Sequence, residues 1–423
     1  MNYDISSNRI PRIVGFSPSL IFVTIFFVFQ FAPGLYIYVF HIEENLFGMM
    51  KSDYSDAALL YVICVGLFLL TFILTRYGML KGDEFTRKSF LTLNATVSRY
   101  SYNKKLLYLP RFLFLFSLFS ILIYFMAGGY EKLMLLGSEM DRWEFRLIGY
   151  DDRSRVLTAI LQISRRIFLP VAILYYMLLK KIGAKVSHTF ILILIFAQLL
   201  ASSMTMDRAP FFTLLILIGY AYLSGIRGVT KFLKLFLCSF VLIVLVAGII
   251  TNLQYNITSF SFMEIVSMGL DFIIHRVWLV PSITPIELSF ANFVWDSDKL
   301  FLEFARIGAL ITGNYVGTSE ANSIFVTPVG AIGDIWRNFG FTGILIVPFL
   351  LGCYFKKLDM LANKVSVISL VVGDFLVIAL CFYWVMGVFF SQGAFFVCIM
   401  CYLYFKYELI LFRISLREMR VSN

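Results

Sequence analysis

Residues 204–219 read MTMDRAPFFTLLILIG, an Asp-Arg pair set between two apolar runs. The guanidinium of Arg208 is charged at every physiological pH, and its planar fork can meet two oxygens of one phosphate. An arginine beside hydrocarbon is costly without an anion, so this position suits a phosphate or pyrophosphate resting at the membrane surface. Arg142, Arg146, Arg165, Arg166, Arg276 and Arg337 are the further candidates for such an anion, Arg165 and Arg166 interrupting an apolar run of their own. Groups able to move a proton lie in the same stretches: His275, Glu287 and Asp334. There is no P-loop, no G-x-S-x-G and no cluster with metal-ligand spacing, so nothing calls for a nucleotide, a metal or another cofactor. The six cysteines all lie in apolar runs, Cys398-x-x-Cys401 among them, and read as packing residues.

The elements that must hold these residues follow from composition. Of 423 residues, 60% are hydrophobic, 17% aromatic and only 15% charged, the balance of a chain solvated by lipid. A spanning helix needs roughly 20 apolar residues. Ten stretches meet that demand approximately: 14–40, 57–75, 107–128, 167–183, 189–206, 210–226, 235–252, 330–354, 365–388 and 390–412. The run from 189 to 226 would be about twice too long as one helix, so it must fold back, with Asp207, Arg208 and Pro210 at its tip. The expected fold is one all-α polytopic membrane domain over 1–423, with about ten transmembrane helices and two long outer loops, 129–166 and 253–329. Both loops are too apolar for solvated linkers. MEIVSMGLDFIIHRVW (263–278) has helical apolar spacing, which suits a helix in the membrane interface or one packed over the bundle.

Loop charge sets the orientation. With both termini inside, 23 of the 36 Lys and Arg fall on the inner side and 13 on the outer. Acids run the other way, 19 outside and 6 inside, with Asp374 within a span. The net charge of +10 is therefore mostly a topology signal and gives no reason to invoke nucleic acid. No A-x-A-like cleavage site follows the first span, so it is expected to be retained. Ten of the 13 outer cations are arginine, whereas the inner side has 13 lysines and 10 arginines. Orientation does not require that bias. Two readings stand: recognition of a lipid-linked phosphate, and ion pairing with the acids of the same face.

The helical-hairpin tip at Asp207 and Arg208, the large late outer loop, and NSIFVTPVGAIGDIWRNFGFTGILIVPFLLGCYFKKLD (322–359) together resemble the O-antigen (oligosaccharide repeat unit) polymerases of the Wzy type. Arg208 and Gly219 fit the Arg, ten residues, Gly pattern described for some members; a second copy from Arg276 meets Glu287 instead. The resemblance implies a C-type glycosyltransferase of the bacterial inner membrane, acting on the periplasmic face without metal. It would transfer a growing glycan from undecaprenyl pyrophosphate onto an incoming undecaprenyl-pyrophosphate-linked repeat unit. Membrane lipids and a chain-length regulator protein of the inner membrane are the further partners implied. Such chemistry needs cations at the departing pyrophosphate, from the arginines, and a base for the acceptor hydroxyl, for which His275, Glu287 and Asp334 are the candidates. Trp143, Trp278 and Trp295 are candidates for stacking on sugar rings.

Two other readings remain open on the sequence alone. An O-antigen ligase shares the donor and differs in its acceptor, and a repeat-unit flippase or other transporter would move the same lipid without transferring its glycan. The topology is checked by labelling single cysteines from outside intact cells. Probes at Ser138 and Ser297 are expected to react and one at Ser101 to stay silent; the reverse pattern overturns the orientation.

Overall fold

Within hydrocarbon a chain can satisfy its own backbone only as helix or closed barrel, and long apolar runs with few charges therefore become helices. The computed structural model describes residues 16–41, 54–78, 108–126, 130, 160–161, 163–181, 187–203, 219, 229–254, 261–290, 330–365, 367–386 and 392–421. Every regular element among them is helical. In chain order these are α1 (Pro18–Phe40), α2 (Tyr54–Gly78), α3 (Tyr108–Tyr124), α4 (Leu169–Lys181), α5 (His188–Ser203) and α6 (Val229–Gln254). There follow α7 (Phe262–Asp271), α8 (Val280–Pro285), α9 (Gly330–Ala362), α10 (Val367–Met386) and α11 (Gln392–Val421). Wide π turns, closed by longer i→i−5 bonds, interrupt α1 at Phe27–Phe31, precede α4 at Ser164–Phe168, join α7 to α8 at Phe272–Leu279 and follow α8 at Ile286–Phe290.

Four of these helices are long and apolar enough to cross a membrane: Pro18–Phe40, Ser55–Arg76, Phe339–Ala362 and Ile368–Val385. Three shorter apolar helices lie in Leu109–Tyr124, His188–Ala201 and Phe240–Ile249. Their outward faces are as apolar as their inward ones; Phe112, Leu115 and Phe119 of α3 are each more than 60% exposed. Water would penalise such a surface, whereas lipid does not. The protein is membrane-embedded. The expected span 210–226 and the hairpin tip at Asp207 and Arg208 lie outside the described residues, Gly219 excepted.

Helix α1 begins where Ser17 accepts a bond from the Leu20 N–H and Pro18 occupies the first turn, where its missing N–H costs nothing. The chain just ahead of it is tied by two acids from distant helices. Phe16 N–H donates to Asp374 of α10 at 2.7 Å. Asp359 of α9 accepts from the backbone and hydroxyl of Ser19, at 3.1 and 2.5 Å, and from Arg76 Nε of α2 at 2.7 Å. Arg76 and Asp359 also form an ion pair at 2.5 Å, and both are buried. The intramembrane acid Asp374 is thus bonded to a neighbouring segment.

These contacts gather the start of α1 with the ends of α2 and α9. The opposite ends of α2, α9 and α10 meet elsewhere, around Tyr61, Gly330 and Val385. Helices α1 and α10 therefore run one way and α2 and α9 the other, so that α1 is antiparallel to α2 and α9 to α10. Helix α11 runs parallel to α9: Tyr354 of α9 donates to the Cys398 carbonyl at 2.6 Å, and further along both helices Lys357 lies over the Tyr402 ring.

Part of the expected outer loop 253–329 enters the bundle. Its helix α7 opens with a capping box, Ser261 with Glu264, and turns back along α6. Gly248 and Gly269 let the two backbones touch: a Cβ at either would lie within about 2 Å of the carbonyl of Ile265 or Val244. Gly269 is thus beside the middle of α6. Residues 281–287 beyond it are buried, deeper than a helix lying on the surface would place them. The apolar periodicity of 263–278 fits a packed helix and an interfacial one equally, and close glycine packing selected the former.

Removing one partner of a buried ion pair leaves the other charge uncompensated, at a cost of roughly 3–5 kcal/mol. Asp359→Ala is expected to lower the thermal midpoint of the purified protein more than the double change Arg76→Met with Asp359→Leu. A double variant that proves the less stable would show that the pair itself, not the avoidance of a lone charge, stabilises this end.

Candidate functional site

Proline has no N–H, so inside a helix it leaves one carbonyl without its donor. In lipid no water supplies the replacement, and a neighbouring helix must. Three prolines show the consequence. In α1, Ala32 N–H bonds to Phe27 in the wide register, so the next donor along, at Pro33, should have served Val28. Trp278 Nε1 donates to Val28 instead, at 2.9 Å. Ahead of α4, Leu169 N–H bonds to Ser164, and the donor missing at Pro170 belongs to Arg165. Gln198 Nε2 of α5 supplies it at 2.7 Å. In α8, Pro285 deprives Pro281, whose carbonyl accepts from Gln30 Nε2 of α1 at 3.3 Å.

Two of these breaks are reciprocal. Gln30 of α1 serves the break in α8, while Ser282 of α8 donates to the carbonyls of Gln30 and Phe29 in α1, at 3.2 and 3.5 Å. The second N–H of the Gln30 amide donates to Val385 at the end of α10, 3.4 Å away. Its oxygen accepts from Tyr61 of α2 at 2.6 Å. Gln30 is fully buried, and its amide is saturated. Gly330, the first residue of α9, fits the same point: its φ is +68°, and a Cβ would lie 3.2 Å from the Val385 carbonyl and 3.4 Å from that of Pro281. Four transmembrane elements and the inserted segment thus converge on one amide.

Around this junction stand the candidate acids. Glu287 lies on the π turn after α8 and is wholly buried. Asp334 lies in the short first part of α9, ahead of a break at Gly340 where φ is +55° and ψ −148°, and is 2% exposed. Their two elements pack together through Phe290 and Trp336, whose rings stack at 4.8 Å, and Tyr61 meets Phe290 edge-on at 5.4 Å. His275 is half-buried on the π turn between α7 and α8. Arg276 neighbours it on that turn and Arg337 follows Trp336 on α9, but their side chains lie outside the described residues.

Arg165 and Arg166 share the π turn ahead of α4. Arg165 is 1% exposed, the largest fully buried side chain here. A position at the membrane edge reads in sequence as a site for snorkelling, yet this guanidinium goes inward. Arg166 is half-buried; it donates to the Tyr383 hydroxyl of α10 at 3.2 Å and lies 5.7 Å from the centre of that ring. The last turn of α10 therefore joins the arginine pair, through Tyr383, to the Gln30 junction, through Val385. Trp278 is engaged by Val28 and by the Tyr36 ring at 5.4 Å. Arg142, Arg146, Arg208, Trp143 and Trp295 lie outside the described residues.

Sequence reasoning missed Gln30, Tyr61, Ser282 and Gly330. A signal existed for the first: Gln30 is the only amide side chain in the run 14–40, and a proline follows it three residues later. What the arrangement offers chemically is a polar centre walled by helix breaks, with buried carboxyls and a buried guanidinium at the same end of the bundle. No protein-family model matches the chain, and neither does any curated protein or solved structure.

Leaving a buried donor or acceptor unsatisfied costs roughly 1–3 kcal/mol. Gln30→Leu strands the carbonyls of Pro281 and Val385 and leaves the Tyr61 hydroxyl only its longer contact to Ser282 at 3.4 Å, whereas Tyr61→Phe strands only the Gln30 amide oxygen. Thermal unfolding is expected to show the glutamine change as clearly the larger. Equal midpoints for Gln30→Leu and wild type would mean that the junction does not hold the helices.

Proposed function

We propose that this protein is a polymerase of lipid-linked O-antigen repeat units, a C-type, metal-independent glycosyltransferase of the bacterial inner membrane. It transfers the growing glycan from undecaprenyl pyrophosphate onto an incoming lipid-linked repeat on the periplasmic face. In this reading the chain has ten spans and cytoplasmic termini. The observation that carries the proposal is the burial of Arg165, Glu287 and Asp334 where broken helices meet, at the end of the bundle assigned outward by loop charge. Charged groups kept inside a membrane protein face its interior and mark the path of a polar substrate.

The division of labour follows from charge. As the glycosyl bond breaks, negative charge gathers on the pyrophosphate oxygen, and guanidinium groups stabilise it in the transition state. Arg208 at the hairpin tip, with Arg165 and Arg166, suits that role, while Glu287 or Asp334 receives the proton of the attacking sugar hydroxyl. The bond formed joins the acceptor oxygen to the donor glycan, and undecaprenyl pyrophosphate leaves with the bonding pair. The resemblance lends support through 322–359, a segment that includes Gly330, Asp334, the break at Gly340 and Asp359.

A flippase is the second reading, and one observation favours it: transporters also build their sites from broken helices that meet within the membrane. Cells separate the two. A strain lacking the protein is expected to cap its lipid A core with one repeat unit; bare core would indicate a flippase or a ligase. In the same strain Arg208→Ala and Arg208→Lys are each expected to lower long-chain glycan roughly 10- to 150-fold, the worth of one charge-assisted hydrogen bond in a transition state. Asp207→Asn is expected to be much milder, because lysine keeps charge without the fork while asparagine leaves the arginine untouched. Full activity of Arg208→Ala at normal protein levels would remove Arg208 from the mechanism.

A further inference from the structure

The opposite end of the bundle carries a second cationic feature, apart from the polar centre. Lys357 of α9 and Lys406 of α11 both reach the ring of Tyr402, their ammonium nitrogens 5.3 and 5.9 Å from its centre. The two helices run parallel here, so the lysines stand at one level. That level is close to the end of the candidate span Phe339–Ala362, where a membrane helix meets lipid headgroups. Both lysines are exposed, and neither makes an ion pair with a carboxylate among the described residues. The nearby acids are committed elsewhere: Asp359 to Arg76 and Ser19, and Glu408 to the Ser369 hydroxyl at 2.5 Å.

Two ammonium groups that reach one ring bring positive charge from two helices to one point of the surface, which an anionic group can meet. Snorkelling accounts for each lysine singly, but not for their convergence from two helices. The surface alongside is apolar: Ile399 and Leu403 on α11 and Ile346 and Leu350 on α9 are exposed. A free phosphate has no use for such a surface, whereas the acyl chains of a phospholipid do. Basic sites between transmembrane helices at the cytoplasmic side are suited to anionic headgroups.

We propose that Lys357 and Lys406, with Tyr402 as their shared platform, bind the phosphodiester of an anionic phospholipid at the inner leaflet, its acyl chains lying along α9 and α11. The site is independent of the glycan chemistry at the other end. Because α9 also carries Gly330, Asp334 and Asp359, the bound lipid steadies the helix that spans from the ion pair to the polar centre.

The test uses the full chain in nanodiscs of phosphatidylcholine, with and without phosphatidylglycerol. Phosphatidylglycerol is expected to raise the Tm by roughly 2 °C or more, and added salt to shrink that rise. In the Lys357→Gln, Lys406→Gln double variant the rise disappears while the Tm in pure phosphatidylcholine stays at the wild-type value; the double arginine variant keeps the rise. An undiminished rise in the glutamine variant overturns the proposal. If inorganic phosphate alone produces the rise in phosphatidylcholine discs, the ligand is a soluble anion and the lipid assignment fails. Native mass spectrometry of the wild type adds a check that requires no variant: preferential retention of phosphatidylglycerol supports the site, and equal retention of both lipids overturns it.

Discussion

A carbonyl that loses its donor inside a membrane cannot turn to water, and much of this structure follows from meeting that constraint at Pro33, Pro170 and Pro285. Each proline frees an acceptor, and each acceptor is met by a side chain from another segment: Trp278, Gln198 and Gln30. The bonds are neutral and individually modest, but those of Trp278 and Gln30 join elements 250 residues or more apart, while that of Gln198 joins neighbouring helices. Between α1 and α8 the service is mutual. Gln30 of α1 serves the carbonyl freed in α8, and Ser282 of α8 donates to the Gln30 and Phe29 carbonyls beside the break in α1. Gln30 adds α2 and α10 through Tyr61 and Val385.

The two ends of the bundle are held by different forces. At one, Arg76, Asp359 and Ser19 form a charged clamp with every contact short. At the other, neutral amides, hydroxyls and carbonyls hold the helices while the charges of Arg165, Glu287 and Asp334 lie among them. Opening the charged clamp separates a buried ion pair whose partners also share Ser19, which costs more than parting a neutral hydrogen bond. Neutral bonds of about 1 kcal/mol each can rearrange around a substrate at modest cost. This asymmetry sets the proposed site at one end and leaves the clamped end to anchor the chain.

Glycine has two distinct uses in this scaffold. Gly248 and Gly269 allow α6 and α7 to touch backbone to backbone, which draws the inserted segment inward. Gly330 and Gly340 take left-handed backbone at the start of α9 and at its break, so that Asp334 and Trp336 sit on a short helix set off from the long one. The first use concerns space and the second conformation. Both serve to bring one acid-bearing segment into a bundle that would otherwise be sealed by apolar side chains.

Composition and hydropathy were enough to determine that the chain is helical and membrane-embedded, because lipid imposes the same demand on every apolar run. Charge balance across the runs set an expected sidedness; the structure gives the relative directions alone, α1 antiparallel to α2 and α9 to α10. The sequence also singled out Arg165, Glu287, Asp334 and Asp374 as charges out of place. It could not decide what they do. Arg165 reads equally as a phosphate ligand and as a residue snorkelling at the membrane edge, and Asp374 as a functional acid or one bonded to a neighbour; in the structure Arg165 is buried and Asp374 accepts from Phe16. The segment 263–278 had a period compatible with lying on the bundle or floating beside it. The bond of Asp374 to Phe16 and the meeting of Gln30 with Pro281 join residues 358 and 251 apart, while Arg165 and the segment 263–278 are placed by helices nearer in sequence, α5 and α6. Periodicity reports which face of a helix is apolar; only tertiary packing decides which other helix supplies the donor that a proline has removed.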